Sequence, residues 1–360
     1  MMKKTILMFF ALAGLLACSS SGTEVQGQTS VPDSSESPSP NVDRWIIPIA
    51  EVFDGGPGRD GIPALTDPIF VSAEDVQLIQ DDDLILGFKN GSDIRAYQHL
   101  VLDWHEIVND DVSGVNLAVT YCPLTGTGIG WSREIGGITT TFGVSGLLYQ
   151  TNLIPFDRES NSNWSQILNE AVNGSLIGTD AELVLPLVEM EWGAWKAMYP
   201  ETKILSFNTG FQRSYGVYPY LDYKTNNDAF LFPVPKDNRL PSKERVLAVV
   251  ENENALAFRF EDFTGGTLYR ESHQGRQFLI AGNSKFMLAF DISGPMSNLE
   301  FTYIHDGSAL LLEDNEGNRW TVMGEAVSGP RVGAKLRAAT AFMGYWFSIP
   351  AFYPTRIFNP

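Results

Sequence analysis

Two residues carry most of the potential chemistry in this chain. Cys122 sits in Tyr121-Cys122-Pro123-Leu124-Thr125-Gly126-Thr127-Gly128, and His105-Glu106 stands seventeen residues earlier. A thiolate is a strong nucleophile, and an imidazole oriented by a carboxylate can take its proton. Cys122, His105 and Glu106, with Asp103 as another orienting group, therefore form a candidate catalytic set. The backbone N–H groups of a Gly/Thr-rich turn could stabilise a thiolate or an oxyanion. No Arg follows five or six residues after Cys122, so the turn does not match a phosphatase loop, and the absence of a CxxC pair argues against a self-contained dithiol oxidoreductase. A small buried hydrophobe is the competing reading of Cys122. Copper or zinc binding through Cys122 and His105, with His99 as a further ligand, is a second class of function. A third is a binding module: Arg213, Tyr215, Tyr218, Tyr220 and Tyr223 crowd a Gly/Pro loop. Asp157, Arg158, Gln166, Thr125, Gly126 and Thr127 add polar groups to such a pocket.

Positioning these groups requires strands. Residues 117–121 alternate, so that Leu117, Val119 and Tyr121 face one way and Ala118, Thr120 and Cys122 the other. Pro123 lacks a donor, which places Cys122 at a strand end entering a turn. Further short β-branched or aromatic runs lie at 84–88, 138–144, 245–250, 278–280 and 285–290, bounded by Gly, Asn, Asp or Pro. Helices are expected only at 164–170 and 189–198, the second stopped by Pro200. The fold class is β-rich α+β.

The chain has 360 residues, 44% hydrophobic and 12% aromatic, ample for a core. Lys+Arg total 25 against Asp+Glu 43, a net charge of −18, and such a surface repels polyanions, so nucleic-acid binding is excluded as a function class. Lys3 and Lys4 precede a 13-residue apolar run ending in Leu15-Leu16-Ala17-Cys18. That run is short for a bilayer span. The ending resembles a bacterial lipobox, which implies cleavage before Cys18 and a lipid on its thiol. Ser19 then implies sorting to the periplasmic face of the outer membrane in a Gram-negative cell. Residues 19–43 hold eight Ser and three Pro and read as a flexible tether. With Cys18 lipidated, Cys122 is the one free thiol of the mature chain, which excludes an intrachain disulfide.

Self-similarity gives the architecture. Leu86 and Ala96 recur as Leu247 and Ala257 at a spacing of 161, Asp157 as Asp314 at 157, and Trp164 as Trp320 at 156. Glu170-Ala171-Val172-x-Gly174 recurs as Glu325-Ala326-Val327-x-Gly329 at 155, and Trp192 and Tyr199-Pro200 recur as Trp346 and Tyr353-Pro354 at 154. The slow drift of the offset fits a tandem duplication with small deletions. The expected organisation is a signal at 1–17, a lipidated tether at 18–43, a first unit at 44–236 carrying the candidate site, and a diverged second copy at 237–360. Cys122 and His105 have no counterparts in the second copy, so reactive chemistry is assigned to the first.

HEIVNDDVSGVNLAVTYCPLTGTGIGW (105–131), FGVSGLLYQTNLIPFDRESNSNWSQ (142–166) and RSYGVYPY (213–220) together resemble a bacterial and archaeal family of exported proteins, catalogued as a domain of unknown function. YCPLTGT is the specific core of the likeness. The resemblance implies an extracytoplasmic setting and carries no activity with it.

Overall fold

The computed structural model describes residues 44–360, so Cys18, the apolar run before it and the Ser/Pro tether lie outside the described residues. Strands dominate, as expected for a β-rich α+β chain, and they form several sheets. No helix among the described residues is long and apolar enough to cross a membrane.

The largest sheet has a hairpin of Leu84–Asn90 and Asp93–Gln98 near its middle. Val188–Glu191 adds antiparallel on one side of it and Lys203–Leu205 adds parallel on the other. A second hairpin, Arg245–Glu251 with Asn254–Arg259, is flanked in the same way: Ala341–Tyr345 antiparallel and Thr355–Ile357 parallel. In register, Leu86 pairs with Tyr97 and Leu247 with Phe258. Three-strand meanders follow each hairpin, Ile107–Val112, Val115–Cys122 and Thr127–Ser132 after the first, and Thr267–His273, Arg276–Asn283 and Phe286–Asp291 after the second. The second meander extends the largest sheet, joined to Val188–Glu191 through Met190 opposite Phe286.

Two corners repeat in detail. The Trp164 indole donates to Asp157 Oδ2 at 3.0 Å, and the Trp320 indole donates to Asp314 Oδ2 at 2.8 Å. Gly174 and Gly329 both have positive φ, and a Cβ on either would collide with Ser162 or Asn318, respectively.

The alternation read at 117–121 matches the packing. Leu117, Val119 and Tyr121 join one apolar cluster with Leu86, Tyr97 and Val101, whereas Ala118 and Cys122 join another with Trp131, Trp164, Val246 and Trp346. Both faces of this strand are therefore buried.

Three element assignments differ. Residues 164–170 are not helical: Asn163–Ser165 pairs antiparallel with Glu170–Asn173, and Asn169 turns the chain at φ 56°. Trp164 packs against Trp131 and Phe142, a tertiary demand that outweighs local propensity. The helix expected at 189–198 begins later, as α2 (Trp192–Met198), because Val188–Glu191 completes the largest sheet. The third is an unforeseen helix, α1 (His99–His105), which connects the first hairpin to the meander that carries Cys122. Its seven residues include no Gly or Pro, and its polar His99, Asp103 and His105 are all buried, so the apolar periodicity that signals a helix is missing.

Candidate functional site

Cys122 closes its strand, pairing with Thr127 across a turn in which the N–H of Gly126 donates to the Cys122 carbonyl at 2.8 Å. Gly126 has φ +63°, and a Cβ there would run into the Arg245 guanidinium and the Tyr345 ring. The second half of the chain grips this turn. Tyr345 N–H donates to the Thr125 carbonyl at 2.8 Å, and Arg245 Nη1 donates to the Gly126 carbonyl at 2.7 Å. Beneath the turn runs a closed polar network. Thr127 donates to Gln166 Oε1 at 2.8 Å, Asn152 donates to the same oxygen at 2.7 Å, and Gln166 Nε2 donates to Thr120 Oγ1 at 3.0 Å. Thr125, Gln166 and Thr127 are fully buried, so these residues hold the turn from within and present no surface to a ligand.

The Cys122 thiol is buried and donates weakly to the Thr151 carbonyl at 3.7 Å. Burial pushes its pKa up to about 11, and the nearby Glu106 carboxylate adds to the rise. The Thr125 hydroxyl and the N–H groups of Thr125 and Leu153 pull the other way.

His105 is committed elsewhere. Its Nδ1 lies 2.7 Å from the Pro63 carbonyl, which can only accept, so Nδ1 carries the proton. Nε2 then accepts from the Tyr215 hydroxyl at 2.6 Å, and Tyr215 is in hydrogen-bond contact with Thr209. Burial lowers the imidazole pKa, opposed by the Pro63 carbonyl. His105 and Tyr215 are thus brought together, but none of the hydrogen bonds of either ring nitrogen involves Cys122.

Glu106 occupies a different environment. It ends α1 at φ 59°, its N–H donating to the Leu102 carbonyl and its own carbonyl accepting from Tyr121. Its side chain lines a cavity of about 180 Å³ with Ile62, Leu124, Val144, Leu148, Tyr220 and Phe232. The residue is only 7% exposed, and none of the hydrogen bonds or ion pairs of the described residues uses its carboxyl. Burial, and then the charge of Asp103, push its pKa up to about 8. Asp103 is itself raised to about 6 by burial, despite Lys224 at 3.0 Å. One wall of the cavity, carrying Tyr220 and Phe232, belongs to the irregular segment 206–244. Lys243 holds that segment: its Nζ stands 3.2 Å from the Tyr223 ring centroid and 4.6 Å from those of Phe230 and Phe347.

The remaining sequence candidates lie apart. Asp157 is buried and serves Trp164 and Ser160, while Arg158 pairs with Asp60 at the surface. Arg213 is exposed and donates to the Gln212 carbonyl. Among the described residues, no group of three or more His, Cys, Asp and Glu side chains converges in a way that could hold a metal ion.

Sequence reasoning named Glu106 only as an orienting group and missed the cavity, whose lining comes from five separate stretches of chain. It also missed the buried Glu189, which pairs with Arg245 and lies 3.5 Å from His99 Nε2. In this half-open pocket, a single carboxyl among apolar side chains can hold or exchange a proton with a bound molecule.

The family described as Protein of unknown function (DUF3179) matches residues 59–356, and the chain belongs to that family. No curated protein and no solved structure matches the chain.

Proposed function

We propose that this member of the family is a binding protein of the cell envelope, anchored by a lipid on Cys18, that receives a small molecule in the Glu106 cavity. The observation that carries the reading is a buried carboxyl, free of protein partners, facing an apolar cavity of about 180 Å³. A site of this kind, apolar with few polar groups, is the usual form of a small-molecule pocket. By comparison with the engineered cavity of ~150 Å³ that takes benzene, it suits a ligand of roughly six to nine non-hydrogen atoms. The net charge of −18 speaks against nucleic acid as the partner. Two duplicated units, the second diverged and bracing the YCPLTGT turn of the first, are part of the same proposal. Its support is the pair of hairpins with like neighbours and the two Trp–Asp corners.

Calorimetric titration of the full chain with benzyl alcohol tests the pocket. The wild-type protein gives saturable heat, and Leu148→Trp, which fills the cavity from a half-exposed position, gives none while melting cooperatively. Absence of binding to the wild type refutes the reading.

A second reading, thiol chemistry at Cys122, has in its favour the Thr125 hydroxyl and the two N–H groups, which partly oppose the rise of the thiol pKa to about 11. It requires Cys122 to react with iodoacetamide in the native protein. Labelling that appears only on unfolding removes it.

A further inference from the structure

From the Glu106 cavity we infer that its ligand carries a cationic amine on an apolar body of about benzyl size; this deepens the binding reading above and rests on it. Three observations point the same way. The cavity walls from Ile62, Leu124, Val144 and Leu148 are hydrocarbon, so they select an apolar body and give no polar contact. Glu106, 7% exposed, supplies an acceptor that no protein donor occupies. The groups facing Glu106 from the neighbouring elements include no cation for it: Asp103 lies on α1, Cys122 on the adjoining strand and Tyr220 on the opposite wall. Lys224, the cation beside Asp103, is already paired with that residue at 3.0 Å.

A buried carboxylate without a counter-ion is costly, and a ligand ammonium supplies the missing charge in the form a carboxylate binds best. A neutral alcohol fills the same volume but brings no charge, so Glu106 keeps its proton. A carboxylate ligand would place a further acidic group beside Asp103 and Glu106, and is rejected. When an ammonium enters, the Glu106 carboxyl gives its proton to solvent and no covalent bond forms.

The experiment titrates the full chain at pH 7 with benzylamine, benzyl alcohol and benzoate by isothermal calorimetry, repeated for Glu106→Gln and in two buffers of different ionisation enthalpy. Benzylamine binds at least tenfold more tightly than benzyl alcohol, benzoate does not bind, and close to one proton is released per benzylamine. Glu106→Gln loses the preference for the amine, a drop of about 30-fold or more in benzylamine affinity. Equal binding of amine and alcohol, or amine binding without proton release, overturns the amine assignment while leaving the pocket standing. Failure of all three probes overturns the pocket itself. The proton count needs only the wild-type protein, so the inference stays testable if the variant does not fold.

Discussion

Replacing Glu106 by glutamine removes a titration that the fold opposes. The native carboxyl has a pKa of about 8 against an ordinary value of 4.5, chiefly through burial. Folding therefore holds its proton more tightly than the unfolded chain does. Below pH 4.5 the group is protonated in both states and costs nothing. Between pH 4.5 and 8 the unfolded state ionises while the folded state does not, and stability falls by about 1.4 kcal/mol per pH unit. Above pH 8 the loss levels off at about 5 kcal/mol, the product of that slope and the shift of the carboxyl. A glutamine amide does not titrate, so the stability of E106Q minus that of wild type climbs by about 4 kcal/mol from pH 4.5 to pH 8.5. Asp103 titrates near pH 6 in both proteins and largely cancels in the difference. Urea unfolding of both chains at pH 5, 6.5 and 8.5 measures it. A difference that stays constant within about 1 kcal/mol would show that Glu106 is solvated or paired, and the account of the cavity would fail.

Gln166→Leu strips the buried network under the Cys122 turn, leaving Thr127, Asn152 and Thr120 without their shared partner. Its cost is about 2–4 kcal/mol in chemical denaturation, and a loss below about 0.5 kcal/mol contradicts the network. Arg245→Met leaves Glu189 buried without its cation and the Gly126 carbonyl without its donor, for about 3–5 kcal/mol; adding Glu189→Leu restores most of it, and no restoration refutes the pairing. Trp164→Phe and Trp320→Phe each delete one indole–carboxylate bond, at about 1.5–3 kcal/mol apiece. Matching losses in thermal melts accord with equivalent corners, and a large loss at one with none at the other contradicts them.

The Cys122 strand was legible as a short apolar run, because both of its faces are buried and Thr120 alone interrupts the run between Leu117 and Cys122. Repeated Trp, Asp and Gly residues located the two Trp–Asp corners because an indole that must reach one carboxylate tolerates little change. Trp164 shows where local pattern fails: its neighbours suit a helix, yet its ring is spent on Trp131 and Phe142 in a strand. α1 was illegible for the opposite reason, since its buried residues include His99, Asp103 and His105, whose partners lie far along the chain. His105 invited pairing with Cys122 by sequence proximity, but Pro63 and Tyr215, 42 and 110 positions away, take both of its nitrogens. The cavity was hidden entirely, because no periodicity announces that Ile62, Leu124, Val144 and Phe232 share one void.

Glu106 is a point at which the fold departs from its own interest. Other buried carboxylates of the chain are compensated: Asp110 by Arg95 and the Tyr97 hydroxyl, Glu189 by Arg245, Asp103 by Lys224, Asp314 by Asn318 and Trp320. Glu106 has none of these. It also occupies φ 59° at the end of α1, a position that glycine fills without strain and that costs a side-chain-bearing residue about 1–3 kcal/mol. Added to the ionisation penalty, the two terms give a residue that is destabilising in backbone and side chain together. A purely structural demand at this place would be met better by Gly, or by an apolar residue filling the cavity. The carboxyl is therefore best explained by something that enters from outside, and compensation by a bound cation removes the electrostatic part of the cost when the site is occupied. On that argument the ligand stabilises the protein most at pH 8 and above, where Glu106 is ionised in the folded state. Benzylamine then raises the melting temperature more at pH 8 than at pH 6. A shift that is equal at the two pH values, or larger at pH 6, refutes the coupling between the cation and this carboxyl.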